Sequence, residues 1–451
     1  MKKNKVLILI ILLAIFFRFY RLRDFQYWSV DEEIFVAVVR QIAVDHKLLL
    51  VSPNVAIAVS LGSFFHLLSA PIFWLAGFTA SKILIAGSVL GVLTTLAVYK
   101  VGGKIAAFLY AGSFLVAFSD RRWWPLTLDP FLATLSIFAI LKIIQKNYKY
   151  SLLLAISASF AWHSDPSLAV IVVFAALSVI FFKIPLFKKS YLPALVYLFF
   201  SITPFFIFEL RHPGAITNPL VQLLTKSRGS VERSLDLLEV LRGFARGLFV
   251  APGVDIEKYF LYTKTYPAPF FSPLPEILTL FFFIFPLWIK EQKVKIVYLF
   301  LLSFLLGSIV FTLGMGSEFH QHYFVVAWPA FFILVAFTLQ KISKIWRVIF
   351  LITFLSINLT TLLFSSMRYS LFKKEMAVDK AITIIDNKPF ALKVQSDGRY
   401  FEGIGGLFFL KNKFPSNLDY YEAWDWIYRA YSLYEVNPTK KPVENTIIIS
   451  P

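Results

Sequence analysis

Asp31, Glu32 and Glu33 follow one another in the stretch SVDEEIF, just past the chain's first apolar run. Another acid, Asp129, opens a later apolar run in DRRWWPLTLDPF, shortly after Arg121 and Arg122. Ionisable groups at membrane depth or at its edge are expensive, and their default reading is functional. Two carboxylates brought together could serve as a general base and its partner, or Asp31 and Asp129 could hold a divalent cation. Arg121 and Arg122 suit bidentate contacts to phosphate oxygens. Each has a plainer reading. Ser29 could cap a helix whose first turn carries the acids. Asp129 before Pro130 makes a good helix start. The arginines could anchor to lipid headgroups.

Two further clusters hold candidates. FELRHPG brings Glu209, Arg211 and His212 together, and EFHQHYFVVAWP carries His320, His322 and Tyr323. His320 and His322 could contribute to a zinc site, although an i,i+2 spacing does not define one. The HSDP stretch (163–166) reads as a tight turn. The sequence contains no Walker loop, GxGxxG or GxSxG. GIGGLF near 403–408 is Gly-rich but sits where no nucleotide is expected.

The elements that must position these residues are membrane spans. The chain has 451 residues, 58% hydrophobic and only 16% charged, with 50 phenylalanines. Soluble domains carry roughly a quarter charged residues. Here the apolar surplus comes in blocks of about 15–25 residues, long enough to cross a bilayer as helices. The net charge of +18 points away from nucleic acid, because Lys and Arg collect in short loops on one side of the membrane, as the positive-inside rule expects. The absence of cysteine excludes disulfides, thiol chemistry and Cys metal sites.

Spans are expected near 6–20, 82–99, 105–119, 129–146, 150–165, 167–183, 191–208, 275–290, 296–314, 323–340 and 346–366, about eleven in all. The first begins with Lys2, Lys3 and Lys5. No small-residue cleavage site follows it, so it reads as an uncleaved, N-inside span. Lys100 and Lys104, Lys142 to Lys149, Lys183 to Lys189, Lys290 to Lys295 and Lys341 to Arg347 then fall inside. Arg18, Arg21, Arg23, Arg121 and Arg122 violate the rule on the outer side, which hints at function. Residues 54–78 are apolar enough to span, but counting them would invert every later loop. They read as outer interfacial helices, broken at Gly62 and Pro71. The expected architecture is an all-α polytopic membrane domain over 1–366, with long outer segments at about 21–80 and 209–274. An amphipathic helix is expected around SVERSLDLLEVLRGFARGLF. A small C-terminal α/β extracytoplasmic domain would occupy 367–451, with strands at ALKVQ and NTIIIS and a helix at DYYEAWDWIYRAYSLY.

A DE pair in a long first outer loop, an LDP element in the next, an Arg/His turn further on and a late HYF…P motif together resemble the glycosyltransferase C superfamily. The likeness is greatest to the branch with protein O-mannosyltransferases and the enzymes that add aminoarabinose to lipid A, and it covers residues 5–340. It implies transfer of a sugar, with inversion, from a polyprenyl-phosphate carrier to a lipid, glycan or protein acceptor outside the cytoplasm, at the cell membrane. On this likeness Asp31 is the general base, Glu32 its neighbour in the catalytic set, and Asp129 the second-loop acid. Arg121, Arg122, Arg211, His212, His322 and Tyr323 are the candidates for gripping the donor phosphate. No cofactor is certain, and a divalent cation is an option. Two features depart from the pattern: His322 stands where Arg or Lys often precedes the late Tyr, and residues 367–451 replace a larger soluble domain.

The rival reading is a transporter or a flippase for lipid-linked sugars. Such proteins place polar groups near the bilayer midplane, often within inverted repeats. Here the polar clusters sit at the outer ends of spans, and no repeat is visible.

Overall fold

The structure is a computed structural model. It describes residues 2–52, 60–225, 237–249, 260–262, 273–315, 321–367, 369–385, 388, 390–394, 403–413, 417–419 and 446–449. The helices are α1 (Lys2–Phe19), α2 (Leu22–Phe25), α3 (Val30–Ala43), α4 (Phe64–Leu75), α5 (Ala80–Ile83), α6 (Ile85–Gly112), α7 (Phe114–Ser119), α8 (Asp129–Ile144), α9 (Ser151–Ser159), α10 (Ala169–Phe182), α11 (Leu192–Arg211), α12 (Thr217–Thr225) and α13 (Leu237–Phe249). They continue with α14 (Leu274–Ile284), α15 (Gln292–Met315), α16 (Trp328–Lys341), α17 (Lys344–Phe364), α18 (Leu371–Ile385) and α19 (Ile404–Leu410). Short 3-10 turns at Pro125–Leu128, Pro166–Leu168 and Gln321–Val326 precede α8, α10 and α16.

Five stretches are long and apolar enough to cross a bilayer: Ala80–Gly112, Pro125–Ile144, Lys189–Arg211, Gln292–Val310 and Lys344–Phe364. Shorter apolar helices run over Phe64–Leu75, Pro166–Phe182, Leu274–Trp288 and Trp328–Lys341. Helix α16 lies at the centre, with every residue from Trp328 to Leu339 buried. Helix α11 lies at the edge and exposes Phe199, Phe200, Phe206 and Leu210. An apolar face turned outward in this way suits lipid rather than water.

Helix α6 is a hairpin rather than one rod. Gly103 has φ 78° and ψ −169°, outside the helical region. The Arg18 guanidinium touches both legs: a Cβ on Gly91 would collide with its Nε, and its Nη1 donates to Ala111 O at 3.3 Å. In an uninterrupted helix those two residues would stand about 30 Å apart. The reversal brings the start of α6 beside the 120–122 turn. Gly87 is needed there, because a Cβ would strike the backbone oxygens of Arg122 and Asp120.

Helix α4 has 12 residues, about 18 Å of helix, short of the roughly 30 Å a span requires. Pro71 lies inside it and does not break it. Of the expected amphipathic helix, α13 is described; Leu238 and Glu239 are exposed and residues 243–249 are buried. Ser113 Oγ donates to Gly247 O, Asn358 Nδ2 to Leu248 O and Trp328 Nε1 to Gly243 O. Two small sheets occur. β1 (Phe260–Tyr262) pairs antiparallel with β2 (Ser365–Met367). β3 (Ala391–Val394) lies between β4 (Asn417–Asp419) and β5 (Thr446–Ile449), parallel to both. The strands expected at ALKVQ and NTIIIS are therefore β3 and β5. The helix expected at DYYEAWDWIYRAYSLY lies outside the described residues.

Candidate active site

The site begins with the cap of α3. Ser29 Oγ accepts from Asp31 N at 3.3 Å, and Glu32 Oε2 accepts from Ser29 N at 2.9 Å, which closes a capping box. Such a box satisfies otherwise orphaned amides and fixes where a helix starts. Glu32 is thereby committed to structure and is 1% exposed. Asp31 takes no part in the cap through its side chain. Its carboxylate remains 42% exposed.

Arg122 faces both acids. Its Nε donates to Glu32 Oε1 at 2.6 Å, and its Nη2 stands 3.9 Å from Asp31 Oδ2. Trp124 holds the guanidinium carbon 3.5 Å from its ring centroid and Tyr27 holds it at 4.6 Å. Nη2 is buried without a hydrogen-bond partner among the described residues. A guanidinium so fixed, with an unspent N–H, is suited to an anionic oxygen.

The surroundings push the Asp31 pKa up to about 6. Crowding by protein is the main cause, the neighbouring Glu32 charge adds to it, Arg122 opposes it, and Asp165 raises it further. A carboxyl poised near neutrality is matched to proton abstraction.

Asp165 was not legible as a site residue. It begins the 3-10 turn Pro166–Leu168, where its Oδ1 accepts from Ser167 N at 2.8 Å. Ser167 Oγ donates in turn to Asp129 Oδ2 at 2.6 Å. Asp165 is within electrostatic reach of Asp129, Asp31 and Tyr323. It is the acid common to the two expected ones. Asp129 itself is 0% exposed, with Oδ1 unpartnered among the described residues. It does not cap α8, and its Oδ2 accepts instead from Ser167 in the turn before α10. Asp129 is therefore placed to hold the Asp165 turn rather than to meet a substrate.

The late motif arrives from the opposite side. The His322 ring packs against Trp124 at 5.5 Å and against Tyr323 at 4.3 Å. His322 and Arg122 thus share one indole, and Tyr323 lies near Asp31 and Asp165.

The other basic candidates are placed elsewhere. Arg121 is 1% exposed and turned inward, with Nη2 donating to Phe17 O at 2.5 Å and Tyr20 O at 3.0 Å. Burial, with the Arg18 charge adding to it, lowers its pKa to about 9. It ties the 120–124 turn to the end of α1. Arg211 and His212 are exposed at the end of α11, His212 against Phe208 at 4.8 Å. Nothing among the described residues joins them to the acids. Glu209 caps the following turn, accepting from Gly214 N and Ile216 N at 2.8 Å each. The remaining outer arginines are also structural. Arg18 pairs with Asp120 at 2.6 Å, and Arg21 with Asp24 at 2.9 Å. Arg23 covers Phe372 at 4.2 Å.

No three His, Asp or Glu side chains among the described residues are placed to share a metal ion. Among the described residues, Asp129 accepts from Ser167 and Asp31 faces Arg122. His320 lies outside the described residues. His163 is committed, its ring stacked on Phe64 at 3.6 Å and its Nε2 2.8 Å from Ser201 O.

The chain is a bundle of apolar helices with a cluster of acids between capped turns, and its fold is shared with solved membrane proteins. It superposes on ArnT from Cupriavidus metallidurans in the apo state with a TM-score of 0.55 at 10% identity, over 92% of this chain and 86% of that one. It superposes on ArnT from the same organism bound to undecaprenyl phosphate with a TM-score of 0.54 at 11% identity, over 91% and 89% of the two chains. No family profile matches the sequence, and no curated protein is significantly similar to it.

Proposed function

We propose that the protein is a membrane glycosyltransferase that moves a sugar from a polyprenyl-phosphate carrier to an acceptor outside the cytoplasm, with inversion and with Asp31 as general base. The observation that carries this reading is the pairing of Asp31 with Arg122. A half-exposed Asp31 carboxylate, its pKa raised to about 6, stands 3.9 Å from an Arg122 nitrogen that has no hydrogen bond among the described residues. The fold shared with a protein crystallised with undecaprenyl phosphate supports a lipid-borne donor.

In the reaction, Asp31 takes the proton from an acceptor hydroxyl as its oxygen attacks the anomeric carbon. The new glycosidic bond forms on one face while the bond to the carrier phosphate breaks on the other, so the leaving polyprenyl phosphate keeps the electron pair. Arg122 Nη2 and His322 stabilise the charge gained there, a type of contribution that often dominates catalysis. Asp129 acts through Ser167 to set the Asp165 turn.

The membrane arrangement belongs to the same reading: eleven spans, an N-terminus inside, and the acids and residues 367–451 outside. Mass spectrometry of envelope glycans and lipid-linked sugars, with and without the gene, tests the reading. Build-up of a polyprenyl-phosphate monosaccharide in the deletion supports it. Unchanged pools contradict it.

A further inference from the structure

The Gly-rich stretch 403–408 lies directly on the acid-bearing helix. Among the described residues, four hydrogen bonds join the C-terminal segment to residues 26–40. Leu371 N donates to Gln26 O at 2.9 Å, and Lys374 Nζ donates to Trp28 O at 2.6 Å. Trp28 Nε1 donates to Gly403 O at 2.8 Å, and Arg40 Nη1 donates to Phe409 O at 3.4 Å. Trp28, Glu33 and Lys374 are each 1% exposed.

The contact allows no added atom. Gly403 adopts φ +84°, and a Cβ there would stand 2.6 Å from Ser29 O. A Cβ on Gly406 would stand 2.7 Å from Glu33 Cγ and 3.1 Å from Glu33 Cα. The residues gripped, Trp28, Ser29 and Glu33, flank Asp31 on both sides. Ser29 is also the cap that sets where α3 begins. A lysine ammonium is normally kept in water, and burying one is costly without a partner. Lys374 instead spends its charge on the carbonyl that leads into the cap.

We propose that α18 and α19 form a clamp that positions Asp31 for proton removal, with Lys374, Gly403 and Gly406 as its positioning residues. This rests on Asp31 being the base. The clamp acts through the backbone of 28–33 and touches no substrate. A misplacement of about 1 Å from residues far from the chemistry can cost on the order of 100-fold in rate.

The test uses the full-length protein in detergent, with the lipid extract of gene-deleted cells as donor. Gly406→Ala and Lys374→Gln are compared with wild type across pH, and Glu291→Gln serves as the control. Glu291 pairs with Lys341 at 3.1 Å, an exposed ion pair outside α18 and α19. The expected result is a fall in kcat of about tenfold or more, a donor KM within about twofold, and an acid limb moved to lower pH, because a loosened α3 admits water to Asp31. Glu291→Gln keeps the wild-type profile. If Gly406→Ala does not accumulate, Lys374→Gln carries the test. Folded Lys374→Gln with wild-type kcat and limb overturns the clamp, while an inactive Asp31→Asn leaves the base assignment standing. An active Asp31→Asn overturns the base assignment itself.

Discussion

Arg122 Nε donates to Glu32 Oε1 at 2.6 Å, across 90 residues of sequence. The bond joins the start of α3 to the 120–124 turn and divides the labour of the DE pair. Glu32 holds the arginine and the helix cap, which leaves Asp31 as the carboxylate open to solvent. Arg122, with one nitrogen engaged, retains another for an incoming anion.

Asp31→Asn should lose about 10²- to 10⁴-fold in transfer rate, the usual worth of a positioned base. The cap uses Ser29 and Glu32, so the apparent unfolding midpoint should stay near wild type. A large drop in that midpoint would mean that the residue is structural.

The acid limb of kcat/KM should fall near pH 6, because Asp31 must be ionised to accept a proton. Arg122 stabilises the ionised form, so Arg122→Gln should move the limb to higher pH. Asp165 opposes ionisation, so Asp165→Asn should move it to lower pH. For stability the sign is reversed. A carboxyl whose folded pKa is raised favours the fold when protonated, so its contribution is lost as pH climbs from 3.8 towards about 6. Pre-steady-state transfer rates across pH check both shifts, and two limbs moving the same way would refute the charge assignment.

Asp129→Asn and Ser167→Ala should each lower the rate less than Asp31→Asn, since Asp129 is buried and works through Ser167. Their effects should not add, because residues within one hydrogen-bonded unit couple. An additive double variant would separate the two residues.

Arg18→Met should lower the apparent thermal midpoint sharply. It leaves Asp120 buried and uncompensated, a loss of about 3–5 kcal/mol for such pairs. Arg18→Met with Asp120→Leu should recover most of the loss. A single variant as stable as wild type would show the pair to be dispensable.

Much of the fold could be read from the apolar runs, because a membrane span must carry its hydrophobicity in consecutive residues. Ser29 as cap was equally local, and it holds. The rest depends on which outer turns meet. Asp165 sat in an unremarkable HSDP turn, and its proximity to Asp31 arises only when the 3-10 turns before α8, α10 and α16 come together. Charge that looked misplaced proved to be of two kinds. Arg122 faces the acids, whereas Arg18 and Arg121 satisfy groups at the end of α1. No pattern of residue types distinguishes Arg121 from Arg122, which are adjacent and point opposite ways. The Gly403 and Gly406 contacts were hidden for the same reason, since their partners lie some 370 residues earlier.

The most direct measurement follows the anomeric sugar during one turnover, using the donor lipid extracted from gene-deleted cells. Wild-type protein should release polyprenyl phosphate and yield a product of inverted configuration, and Asp31→Asn should yield neither above background. Equal release by the Asp31→Asn variant, or a product of retained configuration, would contradict the account.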